Sequence, residues 1–366
     1  SVAAFSVDGS HPDTTVASLT DYDPTTPWRR LEKPAADGRY EPLRARLELM
    51  RAPADNAAPA PLSGSPVSLR AHSAGRVAVA SGPTSGQRLV AWAGVDQGQP
   101  QVFVTLIGKR GEKLNQRMLT RKKGNVGDVA LAWVGDGWIV AWVDERSGDP
   151  EVYASKVSAA LTRSSPEQRL TNAVGVASDL ALAFDGKAAR LVWSDARSSE
   201  LSRHGDIFSV VVGPRDALPQ APEVRLATTR AHSFSPAIQA FQTGFAVAWV
   251  EAGETGGSPG AVVFTTLASD GGPAPLLSVP GAEEPRSVGL WCEGESCRFA
   301  AILERNGATE LGVASWSGTQ LTPWKSLLSL AGNAAASVPP RVQGDTLFFA
   351  DSGANGVRVR RARVAW

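Results

Sequence analysis

The sequence predicts an all-β fold, a six-bladed β-propeller of four-stranded antiparallel blades, and three observations carry that prediction. One pattern recurs along the 366 residues: an apolar strand, a Gly turn, a second apolar strand ending in a large anchor, an acidic turn and a third strand. The anchors are Trp92, Trp142, Trp193, Trp249, Ile302 and Phe349, spaced 50, 51, 56, 53 and 47 residues apart. Within the copies, side chains alternate with period two, and Asp-Gly or Thr-Gly turns fall at Asp136, Asp185 and Thr243. A short apolar run follows each of the first five copies, at Arg117, Arg169, Arg225, Leu276 and Leu327, which makes four strands per unit.

Taken in order, the copies begin at Val77, Val129, Leu180, Ala237, Val288 and Arg341, and the clearest are VALAWVGDGWIVAWVDERSGDPEVY and LALAFDGKAARLVWSDARSS. The sixth ends at Trp366 after three strands. Its fourth is expected from the other end of the chain, because PVSLRAHSAG from Pro66 resembles EVRLATTRAHSFS from Glu223. Pairing Val67–Arg70 with the last blade would close the circle. Residues 61–366 are then the propeller. Residues 1–60 are an irregular N-terminal extension or docking arm, rich in Pro, Ala, Asp and Thr, with one stretch, YEPLRARLELMRA, that reads equally as helix or strand.

The copies GDGWIVAWVDERSGDPEVY and FDGKAARLVWSDARSSELSRHGDIF resemble the blade repeat of TolB-type propellers, and similar blades occur in sialidase-like exported bacterial propellers. The resemblance implies a fold. The sialidase Asp-box is absent, with SDGG at Ser269 its nearest fragment, and residues 1–60 supply no α/β domain of the TolB kind. Fold by itself does not carry function.

Charge and composition exclude several classes. Lys and Arg number 37 against 36 Asp and Glu, with no basic block, so the electrostatic footprint of a nucleic-acid binder is missing. No apolar run approaches the ~20 residues of a membrane span. Cys292 and Cys297 flank a Glu-Gly-Glu-Ser turn between strand-like segments, a spacing that suits a cross-strand disulfide; two buried free thiols are the alternative, and a metal would want further ligands. A disulfide implies an oxidising compartment. With Ser1 in place of an initiator Met, the expectation is an exported product, periplasmic, outer-surface or extracellular.

Two sets of residues invite a functional reading. The Trp-x-Asp-x-Arg elements, Trp142-Asp144-Arg146 and Trp193-Asp195-Arg197, repeat from blade to blade and are read as structural: the carboxylate holds turn N–H groups and the aromatic fills the wedge between blades. Positions that differ between blades are better ligand-binding candidates. The loops between strands two and three, and those leading into strand one, share one face of a propeller. On that face fall His72, Asp128, Asp179, His204, His232 and Arg286, with Glu283 and Glu284 beside them. No Gly-x-Ser-x-Gly elbow, P-loop, His-Glu-x-x-His or EF-hand loop is present, so no catalytic residue, metal or cofactor is assigned. The function expected from this is a non-catalytic exported propeller that binds a protein or a surface polymer, its partner a protein or a surface glycan. A glycan-active enzyme or lectin using the carboxylates of that face is the alternative, and a structural subunit of a cell-envelope assembly the third.

Overall fold

In the computed structural model, the chain is a succession of antiparallel sheets. It describes most of residues 77–366, and of residues 1–76 only the backbone of the strands named below. The segments 199–203, 228–230, 254–258, 269–271 and 331–338 and some single positions lie outside the described residues, as do the side chains of residues 350–361.

The six predicted blades are present, and each is a meander in which sequence neighbours pair. Blade one runs through Ala74–Ser81, Arg88–Asp96, Gln99–Ile107 and Lys113–Met118. Blade two comprises Val126–Trp133, Gly137–Asp144, Glu151–Ser158 and Gln168–Arg169, and blade three Ala177–Phe184, Ala189–Asp195, Asp206–Val212 and Val224–Arg225. Blade four follows with Ser233–Phe241, Gly244–Glu251, Ala261–Ala268 and Leu277–Ser278, blade five with Pro285–Glu293, Ser296–Arg305, Ala308–Trp316 and Lys325–Leu330. Blade six has three strands, Arg341–Gln343, Thr346–Gly353 and Gly356–Arg363.

The core lies between blades. Leu89, Ala91 and Val104 of blade one meet Val129, Leu131 and Trp142 of blade two, and the same wedge recurs at the following junctions as far as Ile302 and Leu311 against Leu347 and Phe349. All six anchors of the sequence repeat are fully buried. Burying an aromatic side chain of this size contributes about 1.5–3 kcal/mol, so the recurring anchor is what makes each junction favourable. Polar links cross the same junctions: Trp138 Nε1 donates to the Ser81 carbonyl at 2.7 Å, Ser194 Oγ to the Ser233 carbonyl at 2.6 Å, and the Cys292 N–H to Gln239 Oε1 at 2.7 Å.

Cys292 and Cys297 stand directly opposite in the hairpin of blade five and are disulfide-bonded, with Cα atoms 4.0 Å apart. Gly294, at φ +59°, supplies the left-handed residue of the connecting turn, which a side chain would strain.

The N-terminal segment departs from expectation. Val2–Phe5, Thr14–Thr20, Arg46–Arg51 and Ala60–Pro61 pair in that order as a further antiparallel sheet, and Glu32–Pro34 pairs with Tyr40–Pro42. The ambiguous stretch is therefore a strand. Val67–Ser68 pairs with Leu47 and Arg46 of this sheet, which corrects the pairing of Val67–Arg70 with blade six. A partner about twenty residues away closes a far shorter loop than one near the end of the chain, and loop closure costs more as the loop lengthens. Val2–Phe5 lies against Ala74–Ser81, the first strand of blade one.

Candidate functional site

The site residues are positioned by a bulge that recurs at the start of the first strand in blades one to five. Val126 pairs with Asp144, Ala177 with Asp195 and Ser233 with Glu251, and in every case the register slips just afterwards. Counting two residues on from each pair gives Asp128, Asp179 and Ser235, so these occupy one equivalent position in successive blades. In blade five Glu284 accepts the Glu304 N–H, and the same count gives Arg286. Extra residues in a bulge turn side chains away from the regular pleat, and Asp179 and Ser235 both adopt positive φ, 54° and 52°.

This position links the blades. Asp128 Oδ2 accepts the backbone N–H of Asp179 at 2.5 Å, and Asp179 Oδ2 accepts that of Ser235 at 3.0 Å. Both aspartates are half-buried. The relay stops at Ser235, whose hydroxyl cannot reach as far and whose Oγ is buried without a hydrogen-bond partner. Arg286, nearly half exposed, pairs within its own blade with Glu304 at 2.8 Å.

Two of the histidines meet beside the relay. His204, exposed, comes from the loop between strands two and three of blade three, and His232 from the residue before blade four, with ring centroids 6.5 Å apart. Phe234 also stacks on His232, with ring centroids 5.0 Å apart. The Gly205 N–H donates to His232 Nδ1 at 2.8 Å, which leaves Nε2 as the protonated nitrogen of the neutral ring. A Cβ at position 205 would stand 2.1 Å from Ser194 Oγ, so a side chain there would displace that hydroxyl from its bond to the Ser233 carbonyl. Burial holds the imidazole of His232 below its ordinary pKa; Asp179 pulls it back up, His204 pushes it down and Glu251 raises it. His72 lies outside the described residues. Among the described residues no group of three His, Cys, Asp or Glu is arranged to hold a metal ion.

The Trp-x-Asp-x-Arg elements have the structural geometry expected of them. Asp144 accepts from Trp142 Nε1 at 3.3 Å, from the Arg146 N–H at 2.9 Å and from Arg146 Nε at 2.7 Å, and Asp195 accepts from Trp193 Nε1 at 2.9 Å, from the Arg197 N–H at 2.9 Å and from Arg197 Nη2 at 2.6 Å. Blade four replaces the aspartate by Glu251, which takes Trp249 Nε1 at 2.6 Å and Ser233 Oγ at 2.8 Å. These carboxylates are occupied within their own blades. Sequence reading missed Ser235 and Phe234, since neither bears charge; placing blade four in register with blades two and three is the signal that finds them.

No protein-family model matches the chain, and no curated protein matches it. The TolB-type resemblance therefore goes no further than the repeat. Similar solved structures are propellers. An α-L-arabinanase of Penicillium chrysogenum complexed with arabinobiose is 12% identical, covering 87% of this chain and 97% of its own, with a TM-score of 0.54. The GH93 α-L-arabinofuranosidase of Fusarium graminearum with arabinobiose is 14% identical, covering 79% and 93%, at 0.53. A subtype N10 neuraminidase-like protein from A/little yellow-shouldered bat/Guatemala is 8% identical, covering 79% and 93%, at 0.50. At such identities the likeness shows the fold alone, an all-β propeller. The expectation of a non-catalytic protein-binding ring is corrected by these neighbours, of which two carry glycosidase names, and the glycan-active alternative suits the fold better. Among the described residues, no helix is long and apolar enough to cross a membrane.

Proposed function

We propose that this chain is an exported, glycan-active propeller that takes a saccharide at the opening bordered by Asp128, Asp179, His204, His232 and Arg286. One observation carries the reading: equivalent positions of successive blades hold Asp128, Asp179, Ser235 and Arg286, and beside them His232 stacks with both His204 and Phe234. Saccharides are recognised by that combination, hydroxyls on carboxylate acceptors and an imidazole N–H donor and the apolar face of the ring on an aromatic surface. A carboxylate has more lone pairs than one backbone N–H uses, so a structural bond at Asp128 or Asp179 is compatible with contact to a hydroxyl. His232, neutral and partly shielded, is the acid–base group whose charge couples to Asp179 if bond cleavage follows binding. The disulfide supports export.

Arabino-oligosaccharides are the first probes, because two structural neighbours are complexes with arabinobiose. Titration calorimetry and a reducing-end assay on a panel of glycans test the reading. D128N/D179N is expected to weaken binding about tenfold with the fold retained, as for loss of charged hydrogen bonds. Absence of binding or turnover across the panel by the wild-type chain would overturn it.

A further inference from the structure

Away from the opening, the outer edges of blades one and two enclose an open cavity of about 530 Å³. Four charged residues line it: Arg117 and Arg121 at the end of blade one, and Arg163 and Glu167 from the turn between strands three and four of blade two. Glu167 is committed to the protein. It is paired with Arg163 at 2.7 Å and with Arg146, and Arg163 also donates to the Leu119 carbonyl. Burial alone would raise the carboxyl's pKa, but the hydrogen bonds from Arg163 and Arg146 outweigh it and hold Glu167 below the usual carboxylate range.

Arg117 and Arg121 are different. Both are exposed, and among the described residues neither has an acidic or carbonyl partner. A guanidinium without a protein acceptor presents paired N–H donors in a planar fork that matches a carboxylate or sulfate. Leu119 and Leu161, both buried, add apolar lining to the same cavity. The volume is that of a small-molecule pocket, larger than a lone inorganic ion needs.

We propose that this groove is a second saccharide site, which takes an acidic sugar by its carboxylate or sulfate on Arg117 and Arg121. It rests on the glycan-active reading and adds the acidic class of glycan. Arg163 and Glu167 shape the wall, and Arg117 and Arg121 hold the anion. Binding to the two guanidiniums is electrostatic and exposed, so it weakens with salt.

The test is titration of the full chain with polygalacturonate, which carries carboxylates, with dextran sulfate, which carries sulfates, and with neutral dextran and arabino-oligosaccharides. R117Q/R121Q is expected to weaken binding of at least one acidic polymer about tenfold, the loss of two charge-assisted contacts, and to flatten its salt dependence. Its melting temperature and its affinity for neutral sugars should stay unchanged. R117K/R121K, which keeps the charge and loses the fork, should fall between. Acidic-polymer affinity within about twofold of wild type in R117Q/R121Q would overturn the proposal, as would failure of the wild-type chain to bind either acidic polymer at low salt. Equal loss for neutral sugars would also overturn it. The reading of the opening is judged separately, by the neutral oligosaccharides and D128N/D179N.

Discussion

Asp179 shows how a residue chosen for chemistry can also be part of the frame. Sequence position puts it on an exposed loop, where substitution is nearly neutral. In the structure it is half-buried at positive φ, and its carboxylate holds the Ser235 N–H of the next blade. D179A is therefore expected to cost about 1.5–3 kcal/mol, the range for a hydrogen bond to a charged group, read from the urea midpoint. D179N keeps an acceptor and tolerates the left-handed backbone, so it should retain most of that stability. His232 gives a second prediction. Its folded pKa lies below the unfolded value, so the unfolded chain takes up the proton first. Both states are neutral well above about pH 6.5, and stability falls as pH drops below that value. H232Q should flatten this part of the pH–stability curve; an unchanged slope in thermal melts would locate the effect elsewhere. At this scale the Trp-x-Asp-x-Arg roles were legible because each partner is close in sequence. The relay was not, since Asp128 and Asp179 are 51 residues apart and only blade-on-blade register brings them together.

Elements were the most readable level. The period of the anchors located every blade, and the short runs after the third strands are outer strands at Lys113–Met118, Gln168–Arg169, Val224–Arg225, Leu277–Ser278 and Lys325–Leu330. The cysteine pair was legible for the same reason: a two-residue turn puts its flanking residues in cross-strand register. C292S/C297S should lower stability by about 2 kcal/mol, small because the loop closed is short. Mass spectrometry of the unreduced protein should find no free thiol. What was unreadable is the strand Arg46–Arg51, since LRARLELMR satisfies helical and strand periodicities alike and its neighbours decide between them.

For the whole molecule, the boundary near residue 60 is a proposal, and truncation tests it. Because Val2–Phe5 lies against the first strand of blade one and Val67–Ser68 pairs with Arg46 and Leu47, removing residues 1–60 strips two contacts at once. It bares the first strand of blade one and leaves Val67–Ser68 without its partner. The truncated chain is expected to melt lower and to self-associate through the newly exposed strand, as sedimentation would detect. Melting indistinguishable from that of the full chain would instead mark residues 1–60 as a separable arm.

The relay from Asp128 to Asp179 to Ser235 also gives the ring a direction. Each hook reaches from one blade to the one after it, and none of these two reaches back. Each bond breaks whichever of its two blades leaves, but the group left behind differs: loss of the later blade strands a carboxylate, loss of the earlier one only a backbone N–H.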